Sequence, residues 1–267
     1  MNKLLLNEDT ELTINSDEAA EQSFDVQTAE RSSVTLTVML EGKKPLNLDW
    51  KLQTARNSRL TILTVNHLDE KLTLNEEYDL QSDSEALVAH CQLNNAQTEL
   101  NGKYNLLAEG ASLKVQTAIM SSSVKKFNQD TFHLAGHTSA EIVNLGVVGP
   151  DSSCDLVVRN TINQGSHGAS THQTSRLLTY DKTAVGRILP VLYIYDNDVQ
   201  ASHAATMGQP DESQIYYLMT RGLSRKEAMN LIMTGYLLPI TKIVDNQQLD
   251  ELLKNEIETK VLEECSM

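Results

Sequence analysis

Ser33-Val34-Thr35-Leu36-Thr37-Val38 is a small polar residue followed by an alternating aliphatic strand, and the chain repeats it. It returns as Ser58-Arg59-Leu60-Thr61-Ile62-Leu63, Ser84-Glu85-Ala86-Leu87-Val88, Ser112-Leu113-Lys114-Val115 and Ser139-Ala140-Glu141-Ile142-Val143. The leading serines lie 25, 26, 28 and 27 residues apart. A second series falls between them: Leu46-Asn47-Leu48-Asp49-Trp50, Leu72-Thr73-Leu74-Asn75-Glu76 and Leu100-Asn101-Gly102-Lys103-Tyr104, with leading leucines 26 and 28 apart. Period-2 alternation marks each segment as a half-buried strand. Two strands in every 26 or so residues, with hardly any helix signal between, predict a coil of β-structure. A β-sandwich also has many short strands, but its strands rarely keep such even spacing. In a solenoid each turn stacks about 4.8 Å from the last, and aliphatic side chains form ladders inside.

Composition agrees. One Trp, eight Tyr and three Phe in 267 residues leave the core to Leu, Val, Ile and Ala, which suits thin aliphatic layers. Twenty-two Lys and Arg against 36 Asp and Glu give a net charge of −14. That balance excludes a nucleic-acid groove, which needs a basic face to release counterions, and docking on an anionic membrane. No apolar run approaches the roughly 18 residues of a membrane helix. The start, Met1-Asn2-Lys3-Leu4-Leu5-Leu6-Asn7-Glu8-Asp9, turns acidic after three leucines and does not read as a signal peptide. Cys91, Cys154 and Cys265 are too few and too scattered for a disulfide framework, so a cytoplasmic protein is expected.

The pattern changes after Gly208. Pro210-Asp211-Glu212-Ser213-Gln214 opens a helix with Asp211 as its cap; Ile215, Leu218 and Met219 share a face, and Gly222 ends it. Ser224-Arg225-Lys226-Glu227 is a capping box for a second helix with an apolar stripe of Ala228, Leu231 and Ile232, stopping before Pro239. A third helix is expected over 247–264, with Leu249, Leu252, Leu253, Ile257 and Val261 on one side. The expected organisation is a β-helix core over 1–208 and a helical subdomain over 209–267.

The chain has no GxxxxGK[ST] loop, CxxC, HExxH or GxSxG motif. His133 and His137 stand at i and i+4, a spacing that would place both on one face; hydrogen bonding to neighbours is the blander role and metal binding the other. His167 and His172 fall in Gln164-Gly165-Ser166-His167-Gly168-Ala169-Ser170-Thr171-His172, which reads as a mobile polar loop with both rings exposed. The densest stretch is Tyr195-Asp196-Asn197-Asp198-Val199-Gln200-Ala201-Ser202-His203-Ala204-Ala205-Thr206-Met207-Gly208. Small residues around His203 allow a buried junction histidine bonded to Asp196 or Asp198, or a soft-metal ligand, since imidazole suits iron as well as zinc.

That stretch, followed by Asp211-Glu212-Ser213-Gln214-Ile215-Tyr216-Tyr217-Leu218 and Arg221-Gly222-Leu223, resembles the SufB/SufD family, whose pattern runs D-D-V-x-C-S-H-G-A-T-x-G and then D-E-x-Q-x-F-Y-L-x-x-R-G. Thr171-His172-Gln173-Thr174-Ser175-Arg176-Leu177-Leu178 is similar to the family's Q-x-N-x-x-L-L-L strand. The likeness runs over residues 130–240 and is most specific in the last 45 of them. It implies a right-handed parallel β-helix with a C-terminal helical subdomain. It also implies a part in iron–sulfur cluster assembly beside a SufC-type ATPase and a SufB-type scaffold. SufB carries a Glu after the motif His, where this chain has Ala204, and a cluster-forming Cys where it has Thr174; His203 matches the histidine that SufD contributes. The resemblance is therefore to SufD. Ala201 stands in place of the motif Cys and Ala204 in place of the SufD glycine, Val185-Gly186-Arg187-Ile188-Leu189-Pro190 replaces a T-K-P segment, and the family's N-terminal helical region has no counterpart before Glu11.

These residues lead to a set of expectations. The chain is a non-catalytic subunit with His203 as the cluster-ligand candidate and Tyr216, Tyr217, Arg221 and Met229 as SufC contacts. An open edge at the end of the coil should pair through the last strands, 189–201, with a SufB-type subunit or a second copy as a two-fold dimer. Cys91 in an early strand and Cys154 in a later turn lie at least two rungs apart and cannot share one iron, and Cys265, two residues from the terminus, is not expected to be ordered. No cofactor should therefore be held stably by the isolated chain, and a transient iron–sulfur cluster would be shared with a partner's thiolates. Two other readings share the fold: a β-helix polysaccharide-acting enzyme, which would want exposed aromatics and a carboxylate or Arg cluster along one face, and a diverged structural interaction protein without cluster chemistry.

Overall fold

A computed structural model describes residues 2–243 and 247–264. Among these described residues, sixteen strands wind into two parallel sheets of eight strands. The first sheet holds β1 (Asn2–Leu6), β3 (Glu21–Thr28), β5 (Leu46–Thr54), β7 (Leu72–Leu80), β9 (Thr98–Leu106), β11 (Val124–His133), β13 (Ser153–Ile162) and β15 (Val185–Ile194). The second holds β2 (Thr10–Asn15), β4 (Ser33–Glu41), β6 (Arg59–Asn66), β8 (Glu85–Gln92), β10 (Ser112–Ser121), β12 (Ser139–Val148), β14 (Ser170–Thr179) and β16 (Gln200–Gly208). Odd and even strands alternate along the chain, so each pair makes one turn of a β-solenoid, as the repeat predicts.

Register turns the repeat into ladders. Leu36, Ile62, Val88, Val115 and Ile142 stack in one column of the second sheet. Leu48, Leu74, Leu100, Phe127 and Leu156 stack opposite them in the first. Both columns are buried and belong to one continuous lumen core. The serines need a correction. Ser33 pairs with Arg59, so the partner of Ser58 is Ser32; Ser33, Ser112 and Ser139 begin strands, whereas Ser58 and Ser84 sit at the preceding corner. At that corner the chain passes through the left-handed region once per turn, at Arg31, Asn57, Asp83, Gly110, His137 and Gly168. Ser32, Ser58, Ser84 and Thr138 donate back to the carbonyls of Ala29, Ala55, Gln81 and Ala135, closing each corner.

Three helices follow: α1 (Glu212–Thr220), α2 (Arg225–Leu237) and α3 (Gln247–Glu264). Asp211 caps α1 and the Ser224–Glu227 capping box opens α2, as their sequences predict. α3 lays Leu249, Leu253, Ile257 and Val261 over the outer face of the second sheet, against a second core that includes Leu63, Val65, Ala89, Met120 and Val147. The expected stripe of α2 is shifted: Ala228, Met233 and Leu237 are buried, Ile232 is half-buried and Leu231 is 53% exposed. Likewise in α1 only Ile215 is buried, while Met219 is exposed. No helix among the described residues is long and apolar enough to cross a membrane.

Candidate functional site

The solenoid stops at β15 and β16, and each of these strands is hydrogen-bonded on one side only. The aliphatic column of the second sheet ends there: Ile142 pairs with Gln173, and Gln173 with His203. Gln173 is buried, so register and alternation put His203 at the lumen-facing position of the last rung. Among the described residues no rung lies above it, and every residue of β16 is exposed. Ala201, Ala205 and Met207 share its parity on β16, and Ile188, Pro190 and Leu192 share the lumen parity on β15. The mouth of the lumen is therefore an apolar ring with one imidazole. Leu189, Tyr193 and Tyr195 add exposed apolar surface on and beside β15. An unpaired, apolar strand edge of this kind is a template for association.

His203 is not the buried, aspartate-bonded junction histidine that its small neighbours suggest. Asp196 is engaged elsewhere, accepting from the Gly165 N–H (2.9 Å), the Asp198 N–H (3.1 Å) and His167 Nδ1 (3.2 Å). The Asp198 N–H, then the Gly165 N–H and His167, hold its carboxyl below the usual carboxylate range. Asp196 thus pins the corner that leads into β16. His167 and His172 are exposed, but only residues before Ser170 form a connecting segment; Thr171 and His172 lie in β14. His172 Nδ1 meets the Ser202 hydroxyl at 2.7 Å, one more link between the last two rungs.

His133 and His137 do not share a face. His133 ends β11 inside the lumen, with Nδ1 2.8 Å from the Thr138 hydroxyl, and burial pushes its imidazole down to about 4. His137 occupies the left-handed corner position and points outward. Among the described residues no three His, Cys, Asp or Glu side chains converge to hold a metal.

The cysteines sit apart. Cys91 lies on β8 beneath the helical cover, and Cys154 lies on β13 in the lumen, a strand rather than the turn its sequence suggests. Burial raises both thiols, Cys154 to about 12, so neither is a ready thiolate. Cys265 is outside the described residues.

On the helices, Tyr216 and Tyr217 are 71% and 55% exposed. The Arg221 guanidinium stacks over the Tyr217 ring at 5.1 Å and donates to its hydroxyl at 3.1 Å. Met229 is half-buried and lines a cleft between the helices and the solenoid with Tyr180, Ile215 and Arg225. Arg225 clamps Glu212 through two hydrogen bonds of 2.8 and 2.6 Å, fixing α1 against α2.

One polar group escapes a sequence reading based on motifs. Glu76 on β7 is 4% exposed and accepts from the Tyr104 hydroxyl (2.5 Å), with His90 Nε2 at 3.1 Å on the same oxygen. Its signal is parity: in Leu72-Thr73-Leu74-Asn75-Glu76 the glutamate shares the inward face with the leucines.

A family model described as SUF system FeS cluster assembly, SufBD core domain, matches residues 12–236. The chain is 29% identical over 171 residues to the iron–sulfur cluster assembly protein SufD of Bacillus subtilis, a match covering 63% of this chain and 39% of that protein. It is 27% identical over 171 residues to SufD of Escherichia coli, covering 62% and 38%. An iron–sulfur cluster assembly SufBD family protein of Mycobacterium leprae is 33% identical over 144 residues, covering 50% and 16%. The match thus spans at most about two-fifths of the length of these relatives.

Proposed function

The chain belongs to the SufBD core family of the SUF iron–sulfur cluster assembly system, and on that premise we propose that it acts in the cytoplasm as a non-catalytic, SufD-like subunit. The observation that carries this reading is the last rung, which is open, apolar and built around one exposed, lumen-parity imidazole. Such an edge has two requirements. A partner strand must cover the apolar ring, and the partner must bring what His203 lacks. A SufB-type scaffold meets both if it contributes thiolates, since a cluster is normally held by sulfur with histidine as an occasional ligand. The cluster is then cargo formed between subunits, and the isolated chain holds no cofactor stably. A second copy of this chain would cover the edge equally well but would add no accessible thiol from the described residues.

Tyr216, Tyr217 and Arg221, with Met229 at the margin, form the patch proposed to dock a SufC-type ATPase. Tyrosine and arginine anchors are worth about 2 kcal/mol or more when central to an interface. Tagged chain co-expressed with SufC-type and SufB-type proteins should recover both. Arg221→Glu should weaken recovery of the ATPase about tenfold while leaving the melting temperature nearly unchanged, because the side chain is exposed and its stacking and hydrogen bond are both to the exposed Tyr217. Recovery of neither partner from native cells, or a chain that stays monomeric with all three present, would overturn the proposal.

A further inference from the structure

Between β5, β6 and β7 lies a small cavity of about 10 Å³. Trp50, Thr64 and Glu76 line it, with Val38, Leu48 and Leu74 as aliphatic walls. Trp50 is 5% exposed, and its Nε1–H has no hydrogen-bond partner among the described residues. Glu76 uses its oxygens unequally: Oε1 serves Tyr104 and His90, whereas Oε2 has only the Tyr78 hydroxyl at 3.4 Å. A buried donor without a partner costs about 1–3 kcal/mol, and such groups in native proteins are ordinarily met by a protein atom or an ordered water.

The chemistry around the space selects its occupant. An indole N–H among its lining groups disfavours a cation. The Glu76 carboxyl, also in the lining and an acceptor towards Tyr104 and Tyr78, disfavours an anion. A neutral molecule that accepts once and donates twice fits, and a volume of about 10 Å³ is at the lower limit for one water. We propose that this cavity is a permanent binding site for a single water molecule, accepting from Trp50 Nε1 and donating to Glu76 Oε2 and the Thr64 hydroxyl. The water joins β5, β6 and β7 across the lumen and extends the polar cluster that Tyr78, His90 and Tyr104 begin. The site rests on its own geometry and not on the assembly role.

Trp50 is the only tryptophan in the chain, so its indole proton gives one unambiguous cross-peak in a ¹⁵N-labelled sample. Water-selective NOE and ROE spectra of the intact chain should show a cross-peak to that proton with opposite signs in the two experiments, the signature of a water resident for longer than a nanosecond. Thr64→Ile, which fills the space, should abolish it in a protein that keeps its amide dispersion. A high-resolution crystal structure should place density within hydrogen-bond distance of Trp50 Nε1 and Glu76 Oε2. An indole proton without a water cross-peak, or an empty cavity in the crystal, overturns the proposal. So does a cross-peak that persists in folded Thr64→Ile, which would trace it to tyrosine hydroxyl exchange; if that variant does not fold, the crystal structure decides.

Discussion

Val88, Val115 and Ile142 in the middle of the solenoid have a rung on each side and are fully buried. His203 belongs to the same column, at the same inward parity, yet it has only Gln173 beneath it and stands exposed. Both places are built from the same repeat, and their residues differ accordingly. The middle turns carry aliphatic ladders and a buried polar cluster around Glu76, while the last turn carries alanines, a methionine and an imidazole. In a stacked architecture each rung is buried by its neighbours, so the terminal rung is where the chain can present chemistry without opening its core.

The contrast is most strongly tested at its two polar centres. Glu76→Ala leaves His90, Tyr78 and Tyr104 without their shared acceptor and should cost about 3–5 kcal/mol in urea unfolding. His203→Ala, with no neighbour to abandon, should stay within about 0.5 kcal/mol of the parent. Equal costs would mean that the two rungs are not energetically distinct.

Acid should weaken the closed interior. His133 is held to about 4 by burial, against an ordinary value of 6.5. Between those values the unfolded chain binds a proton that the folded chain refuses, so stability falls as pH drops from 6.5 towards 4, by roughly 3 kcal/mol in total. His133→Gln should flatten that slope in denaturation curves taken across the range. An unchanged slope would assign acid sensitivity to another group.

Leu189→Asp sharpens the comparison from the other side. The side chain is exposed, so chain stability should move by less than about 0.5 kcal/mol. Association through the last strands should nevertheless be lost, read as a fall from dimer to monomer mass in light scattering at high micromolar concentration. A parent chain that is already monomeric alone and with a SufB-type partner would remove the interface altogether.

The smallest effect is expected where α3 is tied to the solenoid. His67 Nε2 meets Glu256 at 2.9 Å, and that hydrogen bond raises the imidazole above its ordinary value of 6.5. The contribution is complete below 6.5 and disappears as pH rises through the raised value. Because both groups are substantially exposed, Glu256→Gln should cost only a few tenths of a kcal/mol at pH 6 and less at pH 8.

The sequence by itself determined the repeat, and with it the two strands per turn, the parallel stacking and the aliphatic columns, because alternation and spacing are local properties that stacking only copies. It also carried the helix caps and the motif around His203. It could not separate corner serines from strand serines, since Ser32 and Ser33 are adjacent and only the pairing of Ser33 with Arg59 distinguishes them. It could not orient α2, whose buried face is set by a sheet surface assembled from distant strands. Tertiary structure alone decided that His203 is uncovered, that Cys91 and Cys154 lie in different cores, and that Glu76 meets His90 and Tyr104. Each of those facts depends on which rung or sheet lies across the lumen or above the strand, and that is a relation between residues a full turn or more apart in the chain, or on opposite sheets.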